Sequence, residues 1–422
     1  MNFVSLLYYK YRKFTKMLSI FAMILGPGII VMVADNDAGG ITTYAVTGAK
    51  FAYSFIWIEF LLLPVAYVCQ EMTVRLGAVT KRGHAEAIFD AFGSFWGWFS
   101  LTDLTLTDWL TTVTEFIGMT AALSIFNIPP PLTVIGAIIL VMAMVMSGRY
   151  WTWEKIVLVF CVLNLIYIPA AFLVNPPVQA ILQGGVIPGF PYGLNNLVFF
   201  FLMANVGTTI APWMIFFQQS AVVDKGLREK DIRWERVDTA IGSCITITVG
   251  VFIIIVTGTL LRGVNIESAA EAAVLLMPIN KYVGTFMVIG LFDAGLLGAI
   301  CISLTSSWAF GEVFGWAHSL NQKIGQAPWF FLFRLIILAA AGAVVLIPGA
   351  PLILITLFVQ VIAVTLLPAA LTFLVLLLNQ EDLVGKYKNT RLQNIVASVI
   401  VGAIIILSTL YGVSALFPEL FK

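Results

Sequence analysis

Within a stretch almost free of other charges, GPGIIVMVADNDAGGITTYAVTGAKFAY, the residues Ala34-Asp35-Asn36-Asp37-Ala38-Gly39-Gly40 bring together two carboxylates, an amide and a pair of glycines. Carboxylate and amide oxygens are hard donors, and glycines let the chain leave helical dihedrals and release carbonyl oxygens beside them. The chemistry this suggests is the binding of a hard cation in an all-oxygen site formed by Asp35, Asn36 and Asp37. A second stretch, LNNLVFFFLMANVGTTIAPWMIFFQQSAVV, carries Gly207-Thr208-Thr209-Ile210-Ala211-Pro212 in its middle. Pro212 has no N–H to continue a helix and Gly207 weakens the segment from the other side, so a second break is expected there, with Thr208 either lining it or capping the backbone. Glu115, Asp103, Asp108 and Asp293 are further carboxylates in apolar segments, placed to attract a hydrated cation or to pair internally.

Such breaks need long apolar helices around them, and the composition supplies those. The chain of 422 residues is 60% hydrophobic and 11% charged, with a net charge of +1. Soluble domains carry about 25% charged residues. An integral membrane protein is therefore expected, and neither nucleic-acid binding nor disorder fits. Cys69, Cys161, Cys244 and Cys301 all lie in apolar stretches, and the only histidines are His84 and His318, so neither a cysteine cluster nor a histidine-ligated zinc site is indicated. No nucleophile and base constellation suggests an enzyme, and no cofactor is expected.

About eleven helical spans are read, centred near residues 33, 65, 110, 139, 164, 208, 249, 297, 337, 364 and 404. Basic residues fall 18 on one side and four on the other, with Arg334 inside a span, which accounts for all 23. That asymmetry predicts a cytoplasmic N-terminus and an external C-terminus in the cytoplasmic membrane. Trp57, Trp96, Trp98, Trp151, Trp153 and Trp329 are read as an interfacial belt, and the charge-rich run 224–238 as a solvated cytoplasmic segment. Two interrupted helices, each first in a group of five, mark the inverted-repeat secondary transporters. The expected organisation is a tail over 1–18, a first repeat over 19–175, an external loop over 176–193, a second repeat over 194–378, and a loop with an eleventh helix over 379–422.

These residues resemble the Nramp metal-ion transporters, whose fold is of the LeuT type. The similarity runs from Gly26-Pro27-Gly28 through the tenth span, with Arg75-Leu76-Gly77, Ala85-Glu86-Ala87, Glu115-Phe116-Ile117-Gly118 and Gln360-Val361 as further matches. Where the family has Asp-Pro-Gly-Asn in the first helix and Met-Pro-His in the sixth, this chain has Asp37-Ala38-Gly39-Gly40 and Ala211-Pro212-Trp213. The resemblance implies an all-α fold of 5+5 inverted repeats with helices 1 and 6 broken. It also implies a metal site drawn from Asp37, Asp35, Asn36, Gly40, Ala211, Gln360 and Thr208.

The departures change the expected cargo. Ala211 offers no soft donor where the family has a methionine sulfur, and Gly40 removes an oxygen ligand while enlarging the cavity. A roomy oxygen site suits Mg²⁺, which keeps several waters and needs only one or two carboxylates; Mn²⁺ is also admitted. The pattern is similar to the Nramp-related magnesium transporter branch. Trp213 and Thr112 stand where proton-coupled members carry a histidine and an aspartate, so uncoupled uptake is expected, with Glu115 left to bind a proton or to pair with Arg334 or a hydroxyl. A divalent ion moving inward gains about 4.6 kcal/mol per 100 mV, so coupling is not obligatory. The alternatives are a proton-coupled Mn²⁺ or Fe²⁺ symporter and a Na⁺-coupled solute transporter on the same fold. The expected partners are the divalent cation and the bilayer, with the chain acting as a monomer.

Overall fold

The computed structural model describes residues 25–191 and 193–417, so the expected 1–18 tail lies outside the described residues. The described residues are helical throughout, with no strand among them. The first crossing is split into α1 (Pro27–Ala34) and α2 (Ala38–Phe51), followed by α3 (Ile56–Thr80), α4 (His84–Ser124) and α5 (Pro130–Val145). The fifth crossing joins α6 (Tyr150–Leu163) to α7 (Tyr167–Phe172) through a short 3₁₀ turn at Asn164–Ile166. A short helix, α8 (Val178–Val186), occupies the 176–193 segment that was expected to be only a loop. The sixth crossing is again split, into α9 (Asn196–Gly207) and α10 (Pro212–Asp224). The remainder comprises α11 (Ile232–Leu260), the small α12 (Ala269–Leu276), α13 (Lys281–Phe314), α14 (Pro328–Val345), α15 (Leu352–Leu377) and α16 (Arg391–Leu416). Joining the halves gives eleven crossings in the described residues.

Exposed apolar side chains such as Ile135, Ile139, Val159, Val162 and Ile406 cover the outer faces of α5, α6 and α16, as contact with lipid requires. The split helices sit in the middle. α11 packs along α2, α1 and α3, while α13 packs most extensively on α4. α16 lies outside, against α15 and α9. In α4, Gly93 at φ 82 separates the stretch before it from the membrane-crossing part, a conformation that costs any residue with a Cβ.

Two ends of the bundle differ. At the end rich in basic residues, the Asp238 carboxylate accepts the N–H groups of Gly26 (3.1 Å) and Gly28 (2.7 Å), capping α1 from another helix. Lys225 pairs with Glu154 at 2.7 Å and donates to the Leu25 carbonyl, and Ser220 donates to Glu312 at 2.6 Å. His84 meets Gln219, whose amide donates to the Arg82 carbonyl. Within the 224–238 run Arg228, Glu229, Lys230 and Arg233 are exposed, as a solvated segment requires, whereas Glu235 and Asp238 are buried, contrary to that expectation. Trp153 is likewise buried, edge-on to Tyr150 and Trp308, and does not belong to the interfacial belt. At the opposite end a cavity of about 920 Å³ opens between α2, α4, α9 and α15, with Lys50 and Glu267 near its mouth.

Close approach of α1 to α11 rests on two small residues. A Cβ on Gly28 would stand 2.6 Å from the Thr239 backbone nitrogen, and one on Gly242 would stand 2.7 Å from the Gly28 carbonyl. Membrane helices pack through such positions because lipid supplies no hydrophobic drive for association. Gly28→Val should therefore lower the thermal midpoint of the detergent-solubilised protein by several degrees, as overpacking by about 1–3 kcal/mol implies. Gly402→Ala in α16, where a Cβ meets nothing within 4 Å, should leave it unchanged. Equal midpoints for both variants would show that the α1–α11 contact is slack.

Candidate metal site at the two helix breaks

Asp37 is the N-cap of α2. Its extended backbone (φ −73, ψ 177) aims the side chain back at the helix, where Oδ1 accepts the Gly40 N–H at 2.6 Å. The N-terminal partial charge of α2 adds to that bond, worth about 0.3–1 kcal/mol at exposed sites and more when buried. The break is therefore the turn Asp35-Asn36-Asp37, and Gly39 and Gly40 are helical, contrary to the expectation that they interrupt the helix. What Gly39 provides is room: a Cβ there would stand 2.1 Å from the Gln360 amide nitrogen. Gln360 presents that nitrogen, not its oxygen, to Asp37 Oδ1 at 3.4 Å, because a carboxylate requires a donor.

Glu115 completes the centre. One of its oxygens accepts the Ala38 N–H at 3.0 Å and the other the Thr114 hydroxyl at 3.2 Å. Its carboxyl lies beside the Asp37 side chain, the two meeting at the same point on α13. Two buried carboxyl groups this close cannot both hold their charge without a proton or a cation between them. Gly298 of α13 makes the approach possible, since a Cβ there would lie 2.7 Å from the Glu115 carboxyl carbon and 3.2 Å from Asp37 Cβ. Arg334 does not pair with Glu115; its guanidinium donates to the Ile300 carbonyl at 2.7 Å.

The second break is held against the first. Thr208 and Thr209 both turn their hydroxyls onto the Asn205 carbonyl, so each caps backbone. Tyr44 of α2 reaches the Thr209 hydroxyl at 3.2 Å and the Thr208 carbonyl at 3.4 Å, tying the two interruptions together. Gly207 lets α9 meet α15, since a Cβ there would be 2.1 Å from the Gln360 carbonyl oxygen. Ala211 is the N-cap of α10, and its N–H points at the Met214 sulfur at 3.3 Å.

Asp35 and Asn36 lie in the first break, buried. The Asn36 amide nitrogen donates to the Thr246 carbonyl at 3.3 Å, while Asn36 Oδ1 and Asp35 Oδ2 have no partner among the described residues. Gly40 abuts the Asp35 carbonyl and, through its side of α2, Thr208. Three candidates stand apart. Thr112 bonds the Asp108 carbonyl in its own helix, Trp213 packs edge-on to Phe217 with its indole N–H unpartnered among the described residues, and Asp293 faces Asn164 across a different helix interface. Met214, Tyr44 and Gly298 were passed over in the sequence. Met214 had a signal, since three residues beyond Ala211 in a helix puts both on one face.

The vestibule ends close to this centre, although neither Asp37 nor Glu115 lines it. Thr42 and Gly118 line it, and a Cβ on Gly118 would touch Ala38 Cβ at 2.2 Å, so its inner end abuts the residue beside Asp37. Open at one end and fastened at the other, with two broken helices meeting between, this is the arrangement of an inverted-repeat secondary transporter.

The family follows from comparison with known proteins. The model of the Nramp family, described as natural resistance-associated macrophage protein-like, matches residues 28–414, and the chain belongs to that family. It is 25% identical to a divalent metal cation transporter MntH of Caldanaerobacter subterraneus, covering 92% of each chain. A protein of the same description from Staphylococcus haemolyticus is 26% identical, over 95% of this chain and 93% of that one. Among solved structures, the manganese transporter of Eremococcus coleocola superposes with a TM-score of 0.78 at 19% identity, covering 93% of this chain and 86% of that chain. MhsT in complex with L-phenylalanine shares the fold more distantly, with a TM-score of 0.58 at 14% identity.

Titrating Mn²⁺ into purified protein by calorimetry should separate the roles of the two residues on Oδ1. Asp37→Asn keeps an oxygen for the Gly40 N–H but removes the charge, and affinity should fall at least about 100-fold, the equivalent of about 2.7 kcal/mol. Gln360→Ala should cost about 3–10-fold, in keeping with a neutral hydrogen bond. A larger loss from Gln360→Ala than from Asp37→Asn would remove Asp37 from the centre.

Proposed function

We propose that the chain imports divalent metal cations by alternating access, taking Mn²⁺ and admitting Mg²⁺ as well. The observation that carries this reading is the pair of buried carboxyl groups, Asp37 and Glu115, side by side at a helix break near the inner end of an open vestibule. The relatives described as divalent metal cation or manganese transporters support the Mn²⁺ half. So does the Met214 sulfur beside the second break, a softer donor than the sequence led one to expect there. The Mg²⁺ half rests on the oxygen-dominated first break and on the small residues Gly40 and Ala211, which leave space for retained water. The end rich in basic residues is taken as cytoplasmic, which makes the vestibule external in the cytoplasmic membrane. Breaks, vestibule and fastening all come from one chain, so a monomer suffices.

A second reading concerns coupling. The proximity of Asp37 and Glu115 favours proton exchange over the uncoupled uptake suggested by Trp213 and Thr112, because a cation arriving between two neighbouring carboxyl groups displaces a proton held there. Ala38 N–H and the Thr114 hydroxyl position Glu115 to carry that proton.

Proteoliposomes with an inside-negative potential test both readings. Mn²⁺ and Mg²⁺ should each enter, compete with one another, and fail to enter with Asp37→Asn. Mn²⁺ entry should change the internal pH, and Glu115→Gln should abolish that change while leaving measurable Mn²⁺ entry. If Mg²⁺ neither enters nor competes, the reading narrows to Mn²⁺; if the internal pH stays constant, transport is uncoupled.

A further inference from the structure

Asp293 is buried in the middle of α13 and takes no part in the Asp37–Glu115 centre. Across from it lies the interrupted fifth crossing. Asn164, the first residue of the 3₁₀ turn, donates its amide nitrogen to Asp293 Oδ2 at 3.5 Å, so the amide faces the carboxylate. Tyr167, three residues on, has its hydroxyl pressed against α13 at Gly290, one turn away from Asp293. A Cβ on Gly290 would stand 2.5 Å from that hydroxyl, so Gly290 is what admits it. The remaining oxygens here, Asp293 Oδ1, Asn164 Oδ1 and Tyr167 Oη, are all buried and have no partner among the described residues.

Three buried oxygens without donors at one helix interface are costly, because each has given up water without a replacement partner. No basic side chain forms an ion pair with Asp293 among the described residues. Asn164 belongs to the 3₁₀ turn Asn164–Ile166 and Pro169 follows it, so the crossing departs from a regular α-helix here. A carboxylate, an amide oxygen and a phenolic oxygen are hard donors of the kind that hold a hard cation. One carboxylate balances one positive charge, whereas a divalent ion would leave net charge buried in the membrane interior.

We infer that Asp293, Asn164 and Tyr167 form a second cation site, separate from the metal centre, that takes a monovalent ion of the sodium class between the fifth and eighth crossings. The ion bridges α13 to the α6–α7 crossing and satisfies oxygens that otherwise oppose one another. Its occupancy is independent of the transported metal's identity, so this site stands or falls apart from the reading of the Asp37–Glu115 centre.

The test is binding of ²²Na⁺ to the purified full-length protein in a scintillation proximity assay, with Mn²⁺ calorimetry on the same samples. Wild type should show saturable ²²Na⁺ binding displaced by unlabelled Na⁺. Asp293→Asn should abolish it and leave Mn²⁺ affinity within about threefold. Tyr167→Phe, which removes one oxygen and nothing else, should weaken Na⁺ binding at least fivefold and serves if Asp293→Asn does not fold. Asp37→Asn should give the reverse pattern, with Na⁺ binding intact and Mn²⁺ binding lost. Absence of ²²Na⁺ binding to wild type, binding unchanged in both site variants, or displacement by K⁺ but not by Na⁺ would each overturn the assignment.

Discussion

Everything in this molecule is arranged around housing a carboxyl group at membrane depth. An aspartate at the centre of a bilayer helix costs about 2.5–3.5 kcal/mol on insertion scales, and a continuous helix has nothing to offer it, because its N–H groups are already used. Stopping α1 at Ala34 and starting α2 at Ala38 creates fresh helix ends in the interior, and Asp37 occupies one of them. The irregular backbone this leaves is tolerable only where protein surrounds it. Hence both breaks are enclosed by α4, α11, α13 and α15, and the thinner elements stand on the periphery.

Enclosure at that density demands small residues at the crossings. Gly39 and Gly207 both give way to Gln360, one to its side chain and one to its carbonyl, so a single residue of α15 fixes the distance between the two breaks. Gly298 does the same for Glu115, and Gly118 for Ala38. The candidate centre is thus shaped as much by absent side chains as by the two acids.

Much of this was legible in the sequence. Apolar run lengths marked the crossings, and Asp35-Asn36-Asp37 and Pro212 marked both interruptions, because a charge cluster or a proline at that depth is hard to house in a continuous helix. What was not legible depended on partners far along the chain. The role of Gly39 depends on Gln360, more than 300 residues away, and the burial of Asp238 follows from N–H groups at Gly26 and Gly28. Local pattern made the 224–238 run look solvated, yet Glu235 and Asp238 face inward once α1 is laid against α11. Asp293 carried the chemistry of a cavity carboxylate but faces Asn164 at another interface, since helical phase over a long span is set by packing.

The cap on α1 bears on how this end could open. On the alternating-access reading, a swing of α1 away from α11 would strip the Gly26 and Gly28 N–H groups from the Asp238 carboxylate. Hydrogen bonds to a charged group are worth about 1.5–3 kcal/mol each, so losing both would hold the molecule against that opening like a latch.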